Sequence, residues 1–317
     1  MLLLSIRDLD IELRHQERFG YAVQGLTLDI EAGEIVGLVG ESGSGKSLTA
    51  RAVMGLLPSA ASAARGQIIF DGVDLLTLDE DGMEQVRGRR IGIMFQNPRE
   101  SLNPVFTIGD QLRTIYRKIR GRDRRQAREE ARRMLLSLGL REVDRVLASY
   151  PHQLSGGMAQ RALLALTLAC DPELLIADEP ATGLDAATQT RLFVEIGRII
   201  KETGRTAVVI THDISLVSGI CDSVAVMYSG QVVERGTVTD IGRQPLHPYS
   251  NGLLKAADFA DEGGRTSFIP GAPPDPFMPP GGCPFHPRCP QAFEPCPDVV
   301  PVATSTDGRQ VRCHLYD

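Results

Sequence analysis

Several short apolar runs, each ending at a residue that carries chemistry, organise the first part of the chain. "EIVGLV" (34–39) reads as a buried strand entering a glycine-rich turn, and the segment behind it, 48–57, reads as a helix closed by Pro58. "IMFQNP" (93–98) puts Gln96 at the end of a short strand, and "LLIADE" (174–179) sets an apolar run directly before two acids. "TAVVITHD" (206–213) is a buried strand ending at His212. "LSGGMAQRALLALTLA" (154–169) predicts an apolar helix opened by adjacent glycines. Residues 98–153 are too long for a loop and read as helices, with apolar positions at Leu112, Ile115 and Ile119, then Met134, Leu135 and Leu138. "VAVMYSGQVVERG" (224–236) reads as a hairpin. Beyond it the pattern changes. "QPLHPYSNGLLKAA" (244–257) leads to "IPGAPPDPFMPPGG" (269–282), where so much proline rules out regular helix or a central strand. Such an arm needs something other than a large core to hold it.

Composition adds limits. The 317 residues suffice for one large domain or two smaller ones, and 42% apolar content supplies a core. A net charge of −6 argues mildly against non-specific nucleic-acid binding. "MLLLSIRDLD" is too short an apolar run for a signal peptide or a membrane span, and no later run approaches 18 apolar residues. The expectation is a chain in the cytoplasm or docked on a membrane from its cytoplasmic side. In that reducing setting, clustered cysteines bind metal or do redox work more often than they form structural disulfides.

Gly40 to Ser47 fit G-x-x-x-x-G-K-[ST] between a strand and a helix, the context of a phosphate-binding loop. Gly40, Gly43 and Gly45 let the backbone, with Ser42 and Ser44, turn N–H groups onto phosphate oxygens, and the helix N-terminus adds partial positive charge. Lys46 would reach the β- and γ-phosphates and Ser47 a Mg²⁺ ion. Asp178, at the C-terminal end of its strand, would hold the Mg²⁺ shell, and Glu179 could polarise the attacking water. Ser155, Gly156 and Gly157 form a second phosphate-binding helix start, with an N-cap serine as the plainer alternative.

The order of these motifs resembles the ATP-binding-cassette (ABC) ATPase family. "IMFQNP" resembles its Q-loop, "LSGGM" its signature, "ATGLD" (181–185) with Asp185 its D-loop, and His212 its switch histidine. The likeness spans roughly residues 3–237. It implies an α/β fold: a P-loop (RecA-like) ABC core over 1–237, a helical subdomain at about 98–165, and an irregular Cys-rich C-terminal arm over 238–317. It also implies two cassettes paired head to tail, with Ser155, Gly156 and Gly157 acting on the partner's ATP, Gln96 joining Ser47 and Asp178 around Mg²⁺, and Gln96 and His212 sensing the γ-phosphate. An adenine-stacking aromatic is expected before the loop, where His15, Phe19 and Tyr21 all stand. Met158, where the family more often has Gln, resembles the peptide-importer branch. The basic run "RKIRGRDRRQAREEARR" (117–133) reads first as a solvated helical face, second as attraction to anionic headgroups or a permease, and third as a nucleic-acid contact.

Cys283, Cys289, Cys296 and Cys313 follow a C-x5-C-x6-C-x16-C spacing that suits either tetrahedral zinc or an iron–sulfur cluster, without the tight pairs structural zinc favours. "HPY", "IPGAPP", "CPFHPRC" and "CHLY" resemble the C-terminal region of oligopeptide and dipeptide importer ATPases, several of which carry a [4Fe–4S] cluster there. Zinc and an unmetallated set of thiols are the alternatives to the cluster; His286 and His314 flank the cysteines and read as neighbours of the cluster or exposed residues before replacement ligands, and Cys170 and Cys221 read as buried structural residues. The resemblance implies an ATPase at the cytoplasmic face of the cell (inner) membrane. It would pair with a second ABC ATPase in a heterodimer, beneath two permeases served by an extracytoplasmic solute-binding protein, with no nucleic acid. Nickel chelates or glutathione are alternative cargoes. A soluble ABC ATPase acting on nucleic acid or ribosomes is the competing class, and the single P-loop and the importer-like tail count against it.

Overall fold

Hydrophobic alternation in the opening residues produces two long antiparallel strands, β1 (Leu2–His15) and β2 (Arg18–Glu31), in register from Leu2 opposite Glu31 to His15 opposite Arg18. Leu4 and Ile6 share an inward face with Leu9 and Ile11, although the two pairs differ in parity. A register shift between Ile6 and Leu9, with Asp8 at φ +49°, absorbs the odd residue. The computed structural model describes residues 1–261 and 268–317. They divide into two units, one of residues 1–78 and 209–317, the other of residues 79–208.

In the first unit, β3 (Ile35–Val39) is buried throughout and leads into α1 (Lys46–Val53). β4 (Ala61–Phe70) and β5 (Val73–Asp74) complete a sheet of order β2-β1-β4-β5.

The second unit begins with α2 (Glu80–Val86), β6 (Ile91–Met94) and the single turn α3 (Pro98–Ser101). Then come α4 (Ile108–Lys118), α5 (Arg124–Ser137), α6 (Val143–Ala148), α7 (Gly156–Ala169), β7 (Leu174–Asp178) and α8 (Ala186–Thr203). β6 and β7 pair in parallel. Thr107 caps α4, and Asp123 opens α5 with a capping box to Gln126. The buried stripe of α4 is Ile108, Leu112 and Tyr116, while Ile119 is exposed. The helix ends at Lys118, so Ile119 falls on its C-cap instead of its apolar face. Part of the basic run is used within the unit: Arg120 pairs with Asp171, Arg122 with Glu130 at 2.7 Å, and Arg132 with Asp144.

β8 (Thr206–Thr211) carries the chain from one unit into the other. α9 (Ile214–Ser218), β9 (Ser223–Tyr228), β10 (Gln231–Thr237), α10 (Val238–Arg243), α11 (Pro248–Asp261), β11 (Ala303–Thr306) and β12 (Arg309–Arg312) follow. β9 runs parallel to β3, and β10 returns antiparallel beside β9 as the hairpin pattern predicts. The proline-rich stretch 269–282 is neither helix nor strand, but the end of the tail is regular: β12 pairs with β10, Glu234 opposite Val311, and β11 with β12. Glu234 is fully buried there. Its carboxylate accepts N–H bonds from Leu246 at 2.9 Å and His247 at 3.0 Å, with Arg309 at 3.9 Å, so the buried charge is compensated. Among the described residues, no helix is long and apolar enough to cross a membrane.

Candidate nucleotide site

β3 delivers the chain into a loop that folds tightly against its surroundings. A Cβ on Gly40 would stand 2.1 Å from the Met227 carbonyl oxygen, and one on Gly45 would stand 2.6 Å from that of Ala22. Gly45 also adopts φ +102° and precedes α1 with no side-chain cap, and the start of a helix carries partial positive charge that favours an anion. Lys46 is buried and folds back on the loop. Its Nζ donates to the carbonyls of Gly40 (2.7 Å) and Glu41 (2.8 Å) and to Ser44 Oγ (3.1 Å). Ser44 is buried, Ser47 is half-buried, and Ser42 and Gly43 are exposed. In the same unit, His212 is exposed immediately beyond the last residue of β8.

The second unit brings Gln96 and Glu179 together from the C-terminal sides of two paired strands. Gln96 Nε2 donates to Glu179 Oε2 at 3.3 Å, and Thr182 Oγ1 donates to the same oxygen at 2.8 Å. Asp178 ends β7 almost fully buried, and Glu179 turns away from it at φ +46°, a left-handed conformation that costs a non-glycine residue roughly 1–2 kcal/mol. Asp185 caps α8, accepting from Thr188 N at 3.0 Å and Thr188 Oγ1 at 2.7 Å, and these bonds hold its carboxyl below the usual range.

Ser155 caps α7 through Met158 N at 3.4 Å, so the plainer function of that serine is real. Capping does not account for the two glycines behind it. A Cβ on Gly157 would meet nothing within 4 Å, and one on Gly156 only Leu184 at 3.8 Å. Both cost helix stability, about 1 kcal/mol each against alanine, with no packing need among the described residues.

His15, Phe19 and Tyr21 are all exposed near the β1–β2 turn. Arg14 covers the Phe19 ring at 4.8 Å, and His15 lies 6.4 Å from Phe277. Geometry does not single one out.

In the tail, Cys283, Cys289, Cys296 and Cys313 line one small cavity with His247, Phe285 and His314. None of the four is in a disulfide. Burial pushes the thiols of Cys283 and Cys289 up and that of Cys313 to about 11. Backbone N–H groups two residues on, from Phe285, Gln291 and Leu315, act against this by favouring the respective thiolates. Among the described residues, no three His, Cys, Asp or Glu side chains are grouped as the ligands of a single metal ion. His286 Nδ1 bonds the Cys283 carbonyl at 2.9 Å, and His314 Nε2 that of Val299 at 2.8 Å. Cys221 is buried, whereas Cys170 is only partly so, its thiol raised by burial.

Residues 23–182 match the ABC transporter family, and residues 233–296 match the oligopeptide/dipeptide transporter C-terminal region. The oligopeptide transport ATP-binding protein OppD of Escherichia coli is 42% identical over 312 residues, covering 98% of this chain and 92% of that protein. The chain belongs to the ABC transporter family. This ABC ATPase is also 41% identical to the dipeptide transport ATP-binding protein DppD of Bacillus subtilis, over 99% of its own length and 95% of the relative's. Its fold matches the dimeric structure of MJ0796, a bacterial ABC transporter cassette, with a TM-score of 0.67 at 28% identity, over 74% of this chain and 99% of that one. Within the cassette, sequence reasoning overlooked Thr182, which shares the Glu179 oxygen with Gln96, and the residues that hold Glu41 from the tail. No local pattern marks either.

Proposed function

We propose that this ABC ATPase hydrolyses ATP to drive uptake of peptides or related small solutes at the cytoplasmic face of the cell membrane. It would work with a second ABC ATPase, two permeases and an extracytoplasmic solute-binding protein. The observation that carries this is one chain holding both an ABC transporter match and a match to the oligopeptide/dipeptide transporter C-terminal region. Relatives aligned over nearly its whole length are named for oligopeptide and dipeptide transport.

Within residues 1–237, the proposed ATPase section, the loop amides from Gly40 to Gly45 and Lys46 would cradle the phosphates. Ser47, Gln96 and Asp178 would complete a Mg²⁺ shell whose other ligands are phosphate and water. Glu179 would orient and activate water, supported by its bonds to Gln96 and Thr182, and His212 would contact the γ-phosphate. The unpacked glycines at 156 and 157, with Ser155 and Asp185, would serve ATP on a second cassette. Co-purification from detergent-solubilised membranes tests the whole scheme. Recovery with two multi-span permeases and a second cassette is expected; recovery only from the soluble fraction on ribosomes or nucleic acid overturns it.

In residues 238–317, the four cysteines would hold a [4Fe–4S] cluster as a clasp for the proline-rich arm. Four thiols around one cavity, with amides directed at three of the sulfurs, support it. Zinc on the same four thiols is the alternative occupant. Anaerobically purified protein is expected to be brown, with about four iron and four sulfide per chain. Zinc alone, at about one per chain, refutes the cluster.

A further inference from the structure

Glu41, the residue after Gly40 in the nucleotide loop, is held at every polar group it has. Its N–H donates to Tyr249 Oη at 2.8 Å, and its carbonyl accepts from Lys46 Nζ at 2.8 Å and Ser44 N at 3.2 Å. Its carboxylate takes a two-pronged grip from Arg288, Nη1 to Oε2 at 2.7 Å and Nη2 to Oε1 at 2.9 Å. Tyr249 and Arg288 lie 208 and 247 positions away along the chain, in the C-terminal region.

This is not a solvated surface ion pair. The Arg288 side chain is 4% exposed, and its other donor bonds go to Pro270 O at 2.8 Å, Ile269 O at 3.2 Å and Tyr228 Oη at 3.3 Å. Tyr249 is fully buried, and its ring meets Tyr228 at 4.6 Å and Phe285 at 5.4 Å. A planar guanidinium in such surroundings fixes both the place and the orientation of the carboxylate it binds. Arg288 is itself set by the cysteine segment: it lies in the short turn His286–Arg288, between Cys283 and Cys289, and its N–H donates to Phe285 O at 3.0 Å.

We propose that Arg288 and Tyr249 are positioning residues of the nucleotide site, so that the C-terminal region sets the shape of the loop and thereby the affinity for nucleotide. The proposal rests on residues 40–47 being the phosphate loop. Lys46 must exchange its bonds to the Gly40 and Glu41 carbonyls for phosphate oxygens when nucleotide arrives. Glu41 stays in place during that exchange because Arg288 and Tyr249 hold it from the other side. Without them the half-buried carboxylate loses its partner and the loop relaxes around Lys46.

The test is nucleotide affinity, with a fluorescent non-hydrolysable ATP analogue and Mg²⁺, on the full chain. Arg288→Ala is expected to weaken binding about tenfold, equivalent to about 1.4 kcal/mol. It should raise KM for ATP far more than it lowers kcat, and Arg288→Lys should recover part of the loss. Tyr249→Phe, which removes only the hydroxyl, should weaken binding severalfold. Arg288→Ala combined with Glu41→Ala should cost less than the sum of the two single changes. Lys46→Ala separates the two levels: if it binds as tightly as wild type, the loop assignment fails and this proposal with it. With Lys46→Ala impaired, folded Arg288→Lys, Glu41→Gln and Tyr249→Phe proteins that all bind within about twofold of wild type overturn the proposal alone.

Discussion

Replacing Glu179 by Gln is expected to cut ATP turnover by about 10²–10⁴-fold, the range that removal of a positioned general base produces, with nucleotide still bound. The substitution conserves volume and keeps an oxygen that can accept from Thr182 Oγ1 and Gln96 Nε2, the two donors now meeting Glu179 Oε2 at 2.8 and 3.3 Å. What goes is the negative charge, the basicity that comes with it, and one of the two acceptor oxygens. The left-handed backbone at φ +46° concentrates the expectation on this side chain, because strain of that kind persists where the surrounding structure holds it in place. Single-turnover hydrolysis and nucleotide affinity, measured in parallel, are the check. A variant that binds ATP and turns it over at nearly the wild-type rate removes Glu179 from the chemistry.

The second large effect concerns the glycines of the loop, which do different work despite sharing one motif. Gly45→Ala meets two obstacles at once, a backbone at φ +102° and a Cβ 2.6 Å from the Ala22 carbonyl oxygen. Strain and overlap each cost roughly 1–3 kcal/mol, so a loss near 3 kcal/mol or more is expected, together with loss of nucleotide binding. Gly40→Ala meets only the overlap, but with backbone at 2.1 Å, which cannot swing aside as a side chain would. Gly43→Ala should be far milder, about 1 kcal/mol. Its φ is +83°, yet among the described residues nothing lies within 4 Å of the added carbon. Urea denaturation of the three variants gives the order directly. If Gly43→Ala is the most damaging of the three, the loop is not packed as described.

Much of the candidate site is legible because its residues are local. A strand, a glycine loop and a helix adjoin in sequence at 35–53, and an apolar run that ends in acids at 174–179 announces itself. What escaped notice is what distance hides. Nothing near Glu41 signals that Tyr249 and Arg288 will reach it, since each contact spans more than 200 positions and obeys no periodicity. Tyr116 was missed for a different reason. A stripe of Leu112, Ile115 and Ile119 looks complete on apolar residues alone, but the helix stops at Lys118 and buries Ile108, Leu112 and Tyr116 instead. The bulge at Asp8 was likewise invisible until the pairing of β1 was known. The expectation of an irregular arm over 238–317 holds for the proline-rich stretch but not for α10 and α11, which open the region, nor for the eight residues of β11 and β12, too few to stand out among the prolines.

Those eight residues have a consequence for how the protein behaves in company. A sheet that ended at β10 would offer Gln231–Thr237 as an open row of amides and carbonyls, able to recruit a strand from any neighbouring molecule. β12 pairs with the middle of that row, at Glu234 and Arg235, and puts Ala303–Thr306 outermost on that side, four residues long and mostly hydroxylated, a poor template for further growth. Removing residues 303–312 would uncover the middle of β10, and light scattering is expected to show more self-association than the full chain gives.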